Sequence, residues 1–285
     1  AKHASKYAVN IPEVSFDLPK IIARKSKVVR KLVLGVKAKL TANNVTIVSG
    51  EAQIIDKNTV RCGEETYEGE NLILCTGSET FIPPIPGVDA VNYWTHRDAL
   101  DSKELPASLV IVGGGVIGME FASFFNSLGV QVTVVEMMDE ILGGMDKELS
   151  ALLRAEYAKR GIKFLLSTKV IGLSQTEEGA VVSYENAEGN GSVIAEKLLM
   201  SVGRRPVTKG FGLENLNLEK TERGAIRVNE KMQTSVPGVY VCGDLTGFSL
   251  LAHTAVREAE VAVHSILGKE DAMSYRCLLY TSDAA

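Results

Sequence analysis

The residues whose spacing most clearly allows chemistry are glycines and one acid. The stretch Leu109-Val110-Ile111-Val112-Gly113-Gly114-Gly115-Val116-Ile117-Gly118-Met119-Glu120 runs from an apolar strand straight into Gly-x-Gly-x-x-Gly. At those spacings Gly113 suits a tight turn, Gly115 lets backbone approach a pyrophosphate, and Gly118 lets helix and strand pack closely. The pyrophosphate then rests on the positive end of a helix, where unpaired N–H groups point at it. Glu136 closes a second apolar strand, and its carboxylate can accept hydrogen bonds from the adenosine ribose hydroxyls of NAD. The 2′-phosphate of NADP would meet like charge there, at roughly 4 kcal/mol per charge pair at 4 Å and an effective dielectric near 20. The residues that follow, Met137, Met138, Asp139 and Glu140, supply no arginine to offset it. The pattern favours NAD.

These residues need elements to hold them. An apolar helix is expected from Val116 to Leu128, and Gly129 leads into a strand from Val130 to Val135. Strand, glycine turn, helix, strand and terminal acid in that order distinguish a dinucleotide site from a generic Gly-rich turn. Next come a helix from Lys147 to Arg160, a strand from Lys163 to Leu166, and an antiparallel pair near Gly172 to Tyr184 and Val193 to Glu196. A strand from Leu198 to Val202 ends at Gly203-Arg204-Arg205-Pro206. Before the motif, a helix is expected from Phe16 to about Leu40, its basic face solvated. Short strands follow at Val45 to Val48, Ala52 to Asp56, Thr59 to Cys62 and Asn71 to Cys75. Pro83-Pro84-Ile85-Pro86-Gly87 forms a stiff connection, and a second boundary falls near Thr234 to Gly238. Beyond it, Gly238 to Cys242 reads as a buried strand ending in Gly243-Asp244, ahead of a helix from about Ala252 to Leu267.

Composition sets the outer limits. A length of 285 residues suits about two domains, and 45% apolar residues suffice for a packed core. A net charge of −4 leaves no basic footprint for nucleic acid, and no run approaches the roughly 18 apolar residues of a membrane helix. The start, Ala1-Lys2-His3, has neither an initiator Met nor a signal-peptide core, and reads as an internal cut. Cys62, Cys75, Cys242 and Cys277 have no metal-type spacing. Cys75 and Cys242 lie in apolar runs and read as reduced core residues, which suits a cytoplasmic protein.

Together, Thr76-Gly77-Ser78, the glycine motif with Glu120 and Glu136, Gly203-Arg204-Arg205-Pro206, Gly243-Asp244 and Leu250-Leu251-Ala252-His253 resemble the two-dinucleotide flavoprotein disulfide reductases (class I pyridine nucleotide-disulfide oxidoreductases). The likeness runs from roughly Tyr7 to Arg276. Leu-Ala-His-x-Ala is similar to the branch that oxidises dihydrolipoamide rather than to the glutathione or mercuric branches. The resemblance implies an α/β, Rossmann-like fold with two dinucleotide sites. An incomplete FAD domain (1–104) would be interrupted by a complete NAD domain (105–232) and resume over 233–276. It implies FAD contacts at Ala52, Thr76, Gly77, Ser78, Asp244, Leu250, Leu251, Ala252 and His253. NAD contacts would lie at Gly113, Gly114, Gly115, Val116, Ile117, Gly118, Met119, Glu120, Glu136, Val170 and Gly203, with Glu120 beside nicotinamide and flavin. From the residues alone, Asp244 also suits a helix N-cap, His253 a core position, and Glu120 an ordinary helix site.

The resemblance further implies oxidation of protein-bound dihydrolipoamide through FAD, with hydride passed to NAD⁺. The partners would be lipoyl domains of 2-oxo-acid dehydrogenase or glycine-cleavage complexes, and the parent a homodimer through a C-terminal domain. Departures accompany the likeness. The family's first glycine motif and its Cys-x4-Cys pair have no match here, and its His-x4-Glu pair would belong to a C-terminal domain that the chain does not reach, so the chain is expected to be an interior piece with no catalytic residue of its own. The tail from Cys277 to Ala285 stops resembling the family and reads as adapter or vector sequence. Two rivals stand beside this reading: an NADH-dependent flavin oxidase or other pyridine-nucleotide reductase, and a non-catalytic module that senses NADH and NAD⁺.

Overall fold

Alternation within the strand before the glycine loop decides how its surroundings are built. In the computed structural model, which describes residues 4–11 and 13–277, the strand Ser108–Val112 sends Leu109 and Ile111 into one apolar cluster and Val110 and Val112 into another. A strand buried on both faces belongs to a covered parallel sheet. That sheet has the order Tyr93–Trp94, Lys197–Met200, Ser108–Val112, Gln131–Val135, Lys163–Leu165, and every pairing is parallel. Met119, Phe121, Ala122 and Phe125 of the helix Val116–Ser127 share the first cluster with Leu109, Ile111, Val132 and Val134. On the other face lies an antiparallel sheet of Lys169–Thr176, Gly179–Asn186 and Gly189–Ala195. Its Leu173, Ala180, Val182 and Ala195 cluster with Val110, Val112, Leu198 and Met200. The crossover to Lys163–Leu165 is the helix Lys147–Lys159, capped by Asp146, whose carboxylate accepts from the Leu149 N–H at 3.0 Å.

The residues fall into two compact units. The first comprises those up to Ala42 together with Thr80–Gly203, and so includes this sheet and the helix Leu18–Ala42. Only Leu18 of that helix is buried, while Val28, Val29, Leu32, Val33 and Val36 are exposed.

The second unit comprises Asn43–Glu79 and the chain from Arg204. It contains an antiparallel meander of Ala52–Asp56, Thr59–Cys62 and Glu65–Glu68, and a parallel pair, Leu72–Leu74 with Val239–Val241. Val239 and Val241 face Ile54, Leu74, Leu213 and Ile226. Tyr240 and Cys242 turn the other way, toward Met232 and the helix Ala252–Ile266 through Val261 and Ala262. Among the described residues, no helix is long and apolar enough to cross a membrane.

Several expectations need correcting. The compact units change at 42/43, 79/80 and 203/204, whereas the domain boundaries expected from sequence lie at 104/105 and 232/233. Tyr93–Trp94 completes an edge of the five-stranded sheet, while Leu213, Leu216 and Ile226 pack with Val239 and Val241. Val45 to Val48 forms no strand and is exposed, with no partner strand to pair it. Glu65–Glu68 is a strand that its polar sequence concealed, and the expected antiparallel pair is a three-stranded sheet. Cys75 is exposed rather than a core residue; Cys242 is buried as expected. Apart from Cys277, the tail to Ala285 lies outside the described residues.

Candidate dinucleotide sites

The glycine loop begins where Ser108–Val112 ends. Gly113 takes φ +106, and a Cβ there would lie 2.2 Å from the Ser201 carbonyl oxygen. Its N–H donates to the Val135 carbonyl at 2.9 Å, tying the turn to the neighbouring strand. A Cβ on Gly118 would lie 2.2 Å from the Gly113 carbonyl oxygen, so the helix rests directly on the turn. Gly115 differs from both. It caps the helix with φ −71 and ψ −179, and a Cβ there would meet nothing within 4 Å. The packing of the protein itself does not require glycine at 115.

Glu136 is held beside this loop. Its Oε2 accepts from the Gly114 N–H at 2.5 Å and its Oε1 from the Met138 N–H at 2.7 Å. Fixed by two backbone donors, the carboxylate keeps its remaining lone pairs for hydroxyl groups. The Leu142 N–H donates to the Gly114 carbonyl at 2.8 Å. Glu140, two residues earlier, is in turn clamped by Arg154 Nε at 2.8 Å and Nη2 at 3.0 Å. That ion pair holds the Glu140 carboxyl below its ordinary range.

The other expected NAD positions divide. Val116 and Glu120 are exposed on the helix. Gly203 is exposed at φ +122, and its carbonyl accepts from the Phe81 N–H at 3.0 Å. Met119 is buried in the first cluster and its N–H is spent on the Gly115 carbonyl, so its side chain has no ligand-facing surface. Ile117 and Val170 are half-buried against the two clusters.

The second unit gathers Ser78, Arg204 and Asp244. Ser78 Oγ donates to Asp244 Oδ2 at 2.5 Å and accepts from Arg204 Nε at 2.7 Å; Arg204 Nη2 also donates to the Ser78 carbonyl at 2.6 Å. These three residues, with Arg205, Arg223, Arg227, Phe248 and Leu250, line a cavity of about 450 Å³. Asp244 does not cap a helix. It sits in the 3-10 turn Gly243–Thr246, and the next α-helix starts only at Ala252, capped by Leu251. Leu250, Leu251 and Ala252 are exposed around that helix start. His253 Nε2 is buried without a hydrogen-bond partner, an orphan that a bound polar group would satisfy.

Thr76 Oγ1 donates to the Val207 carbonyl at 3.0 Å, Gly77 takes φ +69, and Ala52 is exposed at the start of the meander. Beneath the turn, fully buried Glu258 accepts from the Gly243 N–H at 2.5 Å and from the Tyr275 hydroxyl at 2.8 Å. Burial pushes its pKa up despite those bonds. Neither Arg204 nor Glu258 was assigned a role on sequence. Arg204 is visible there only as the first of two cations after a strand-end glycine, and Glu258 not at all.

A profile of the pyridine nucleotide-disulphide oxidoreductase family matches residues 2–259. Dihydrolipoyl dehydrogenase of Geobacillus stearothermophilus is 35% identical over 280 residues, which cover 96% of this chain and 59% of that protein. The Acholeplasma laidlawii enzyme of the same name is 41% identical over 259 residues, covering 90% of this chain and 75% of the relative. Among solved structures, LpdA from Mycobacterium tuberculosis superposes with a TM-score of 0.86 at 26% identity, over 96% of this chain and 61% of that one. The chain thus spans under two thirds of the length of the Geobacillus relative and of LpdA. With its glycine loop, its pinned strand-end acid and its covered parallel sheet, this chain belongs to the pyridine nucleotide-disulphide oxidoreductases, a family of enzymes that use FAD and NAD.

Proposed function

We propose that this chain is the flavin–NAD part of a dihydrolipoyl dehydrogenase, which oxidises protein-bound dihydrolipoamide to lipoamide and delivers hydride to NAD⁺. The observation that carries the reading is Glu136, locked by the Gly114 and Met138 N–H groups beside a Gly115 that needs no glycine for its own packing. In this assignment Glu136 accepts from the NAD ribose hydroxyls, and the start of the helix Val116–Ser127 offers its N–H groups to the pyrophosphate. Asp244, ordered by Ser78 and Arg204, accepts from the ribityl side of FAD, with Ala52, Thr76 and Gly77 along the same cofactor. Leu250 to His253 approach the flavin, with His253 Nε2 gaining the partner it lacks in the protein. Glu120 and Ile117 stand on the nicotinamide side, Val170 near the adenine, and Gly203 over the NAD. FAD, when bound, supplies the two-electron link between dithiol and NAD⁺.

The parent would serve lipoyl domains of 2-oxo-acid dehydrogenase or glycine-cleavage complexes in the cytoplasm, as a homodimer. The 285-residue chain, lacking Cys-x4-Cys, is expected to bind NADH without turning over dihydrolipoamide. Fluorescence titration tests this: NADH should bind more tightly than NADPH. Glu136→Ala should weaken NADH roughly tenfold or more, as loss of a charged hydrogen bond worth about 1.5–3 kcal/mol implies. Tighter NADPH binding by the unaltered chain would overturn the assignment.

A further inference from the structure

The sequence holds no closely spaced cysteine pair, yet strand pairing builds one. The parallel register Leu72↔Val239, Ile73↔Tyr240, Leu74↔Val241 places Cys75 opposite Cys242 one step on. The Cys242 N–H continues the ladder, donating to the Leu74 carbonyl at 3.1 Å. In-register residues of a parallel pair project to the same face, and here it is the face of Ile73 and Tyr240. Adjacent strands lie about 4.8 Å apart, within the roughly 4.4–6.8 Å Cα separation that disulfides adopt. Both cysteines are reduced. Their surroundings differ: Cys75 is exposed, whereas Cys242 is buried.

We propose that Cys75 and Cys242 form a peroxide-responsive dithiol, with Cys75 as the attacking sulfur and Cys242 as the resolving one. The Cys75 thiolate attacks one oxygen of a hydroperoxide; the O–O bond breaks, water or an alcohol leaves, and Cys75 becomes a sulfenic acid. The Cys242 thiol then attacks the Cys75 sulfur; the S–S bond forms, the S–O bond breaks, and water leaves. Two thiols give up two electrons and two protons, and the peroxide is reduced by the same two electrons.

The electrostatics assign the same roles. The hydrogen bond from Cys242 lowers the Cys75 thiol to about 7, against burial and the nearby Glu258 carboxylate, which both oppose it. The same bond and burial push the Cys242 thiol up. Thiolate character and access together decide which cysteine meets an oxidant. The bond would join the strand ends that lead into Ser78 and Asp244. It does not depend on the lipoamide reading.

The test treats the whole 285-residue chain with hydrogen peroxide, blocks free thiols, and maps peptides by mass spectrometry without reductant. The expected product joins the Cys75 and Cys242 peptides, lighter by two hydrogens than the reduced pair and restored by dithiothreitol. In Cys242→Ser, dimedone labelling of Cys75 should rise several-fold over the unaltered chain, because the sulfenic acid has no resolving partner. In Cys75→Ser, Cys242 should remain an unmodified thiol. Cys75 linked chiefly to Cys62, to Cys277 or to a second chain would overturn the proposal. So would oxidation that stops at the sulfenic acid in the unaltered chain, an outcome that needs no variant to fold.

Discussion

A methyl group added at Gly118 would stand 2.2 Å from the Gly113 carbonyl oxygen, a backbone atom with little freedom to yield. Gly118→Ala is therefore expected to destabilise the chain by about 1–3 kcal/mol, the usual range for overpacking, as measured by urea unfolding. Gly115→Ala meets open space and should leave the unfolding midpoint nearly unchanged while weakening NADH at least several-fold. Equal losses of stability in the two variants would refute this division of labour. Glu258 provides the pH-dependent case. Burial raises its folded-state pKa above the unfolded value, so its contribution favours folding at acidic pH and is lost as pH rises through that raised value. Glu258→Gln should flatten this part of the stability profile, and a melting temperature whose fall from mildly acidic to neutral pH is unchanged in the variant would contradict it. None of this was legible for Glu258, because an acid at that position reads as an ordinary polar helix residue until Gly243 and Tyr275 are seen to converge on it.

Local elements announced themselves when their stabilising contacts were also local. The helix Val116–Ser127 and the strand Gln131–Val135 were readable to within a residue or so, because glycine turn, apolar run and strand-end acid lie along one short stretch. The helix Lys147–Lys159 was equally plain, and its Asp146 cap yields a direct expectation. Asp146→Ala should cost about 1 kcal/mol in thermal or urea unfolding, since Leu149 loses its acceptor; no measurable change would mean that water replaces the cap fully. Elements defined by distant partners were harder to read. Val45 to Val48 has the apolar composition of a strand but gains no partner, whereas polar Glu65–Glu68 becomes a strand because Thr59–Cys62 lies beside it. Arg204 reaches Ser78 across 126 positions of sequence, a distance over which no periodicity or motif spacing carries information.

At the scale of the molecule, the division of the chain can be tested by cutting it. A piece running from Thr80 to Gly203 retains the edge strand Tyr93–Trp94 and all five strands of the parallel sheet. A piece from Leu105 to Met232 loses that edge and gains Leu213, Leu216 and Ile226, whose packing partners stay behind. The first should melt cooperatively and the second broadly or not at all by circular dichroism; the reverse order would favour the boundaries at 104/105 and 232/233. The pairing of Leu72–Leu74 with Val239–Val241 also sets a timetable for a nascent polypeptide. Its first partner leaves the ribosome long before its second, so that edge must wait, unpaired, while the intervening sheet is translated and closed. Long-range closure of this kind slows folding and lengthens exposure to aggregation. A pause in synthesis just before Val239 would be the moment at which this protein most needs a chaperone.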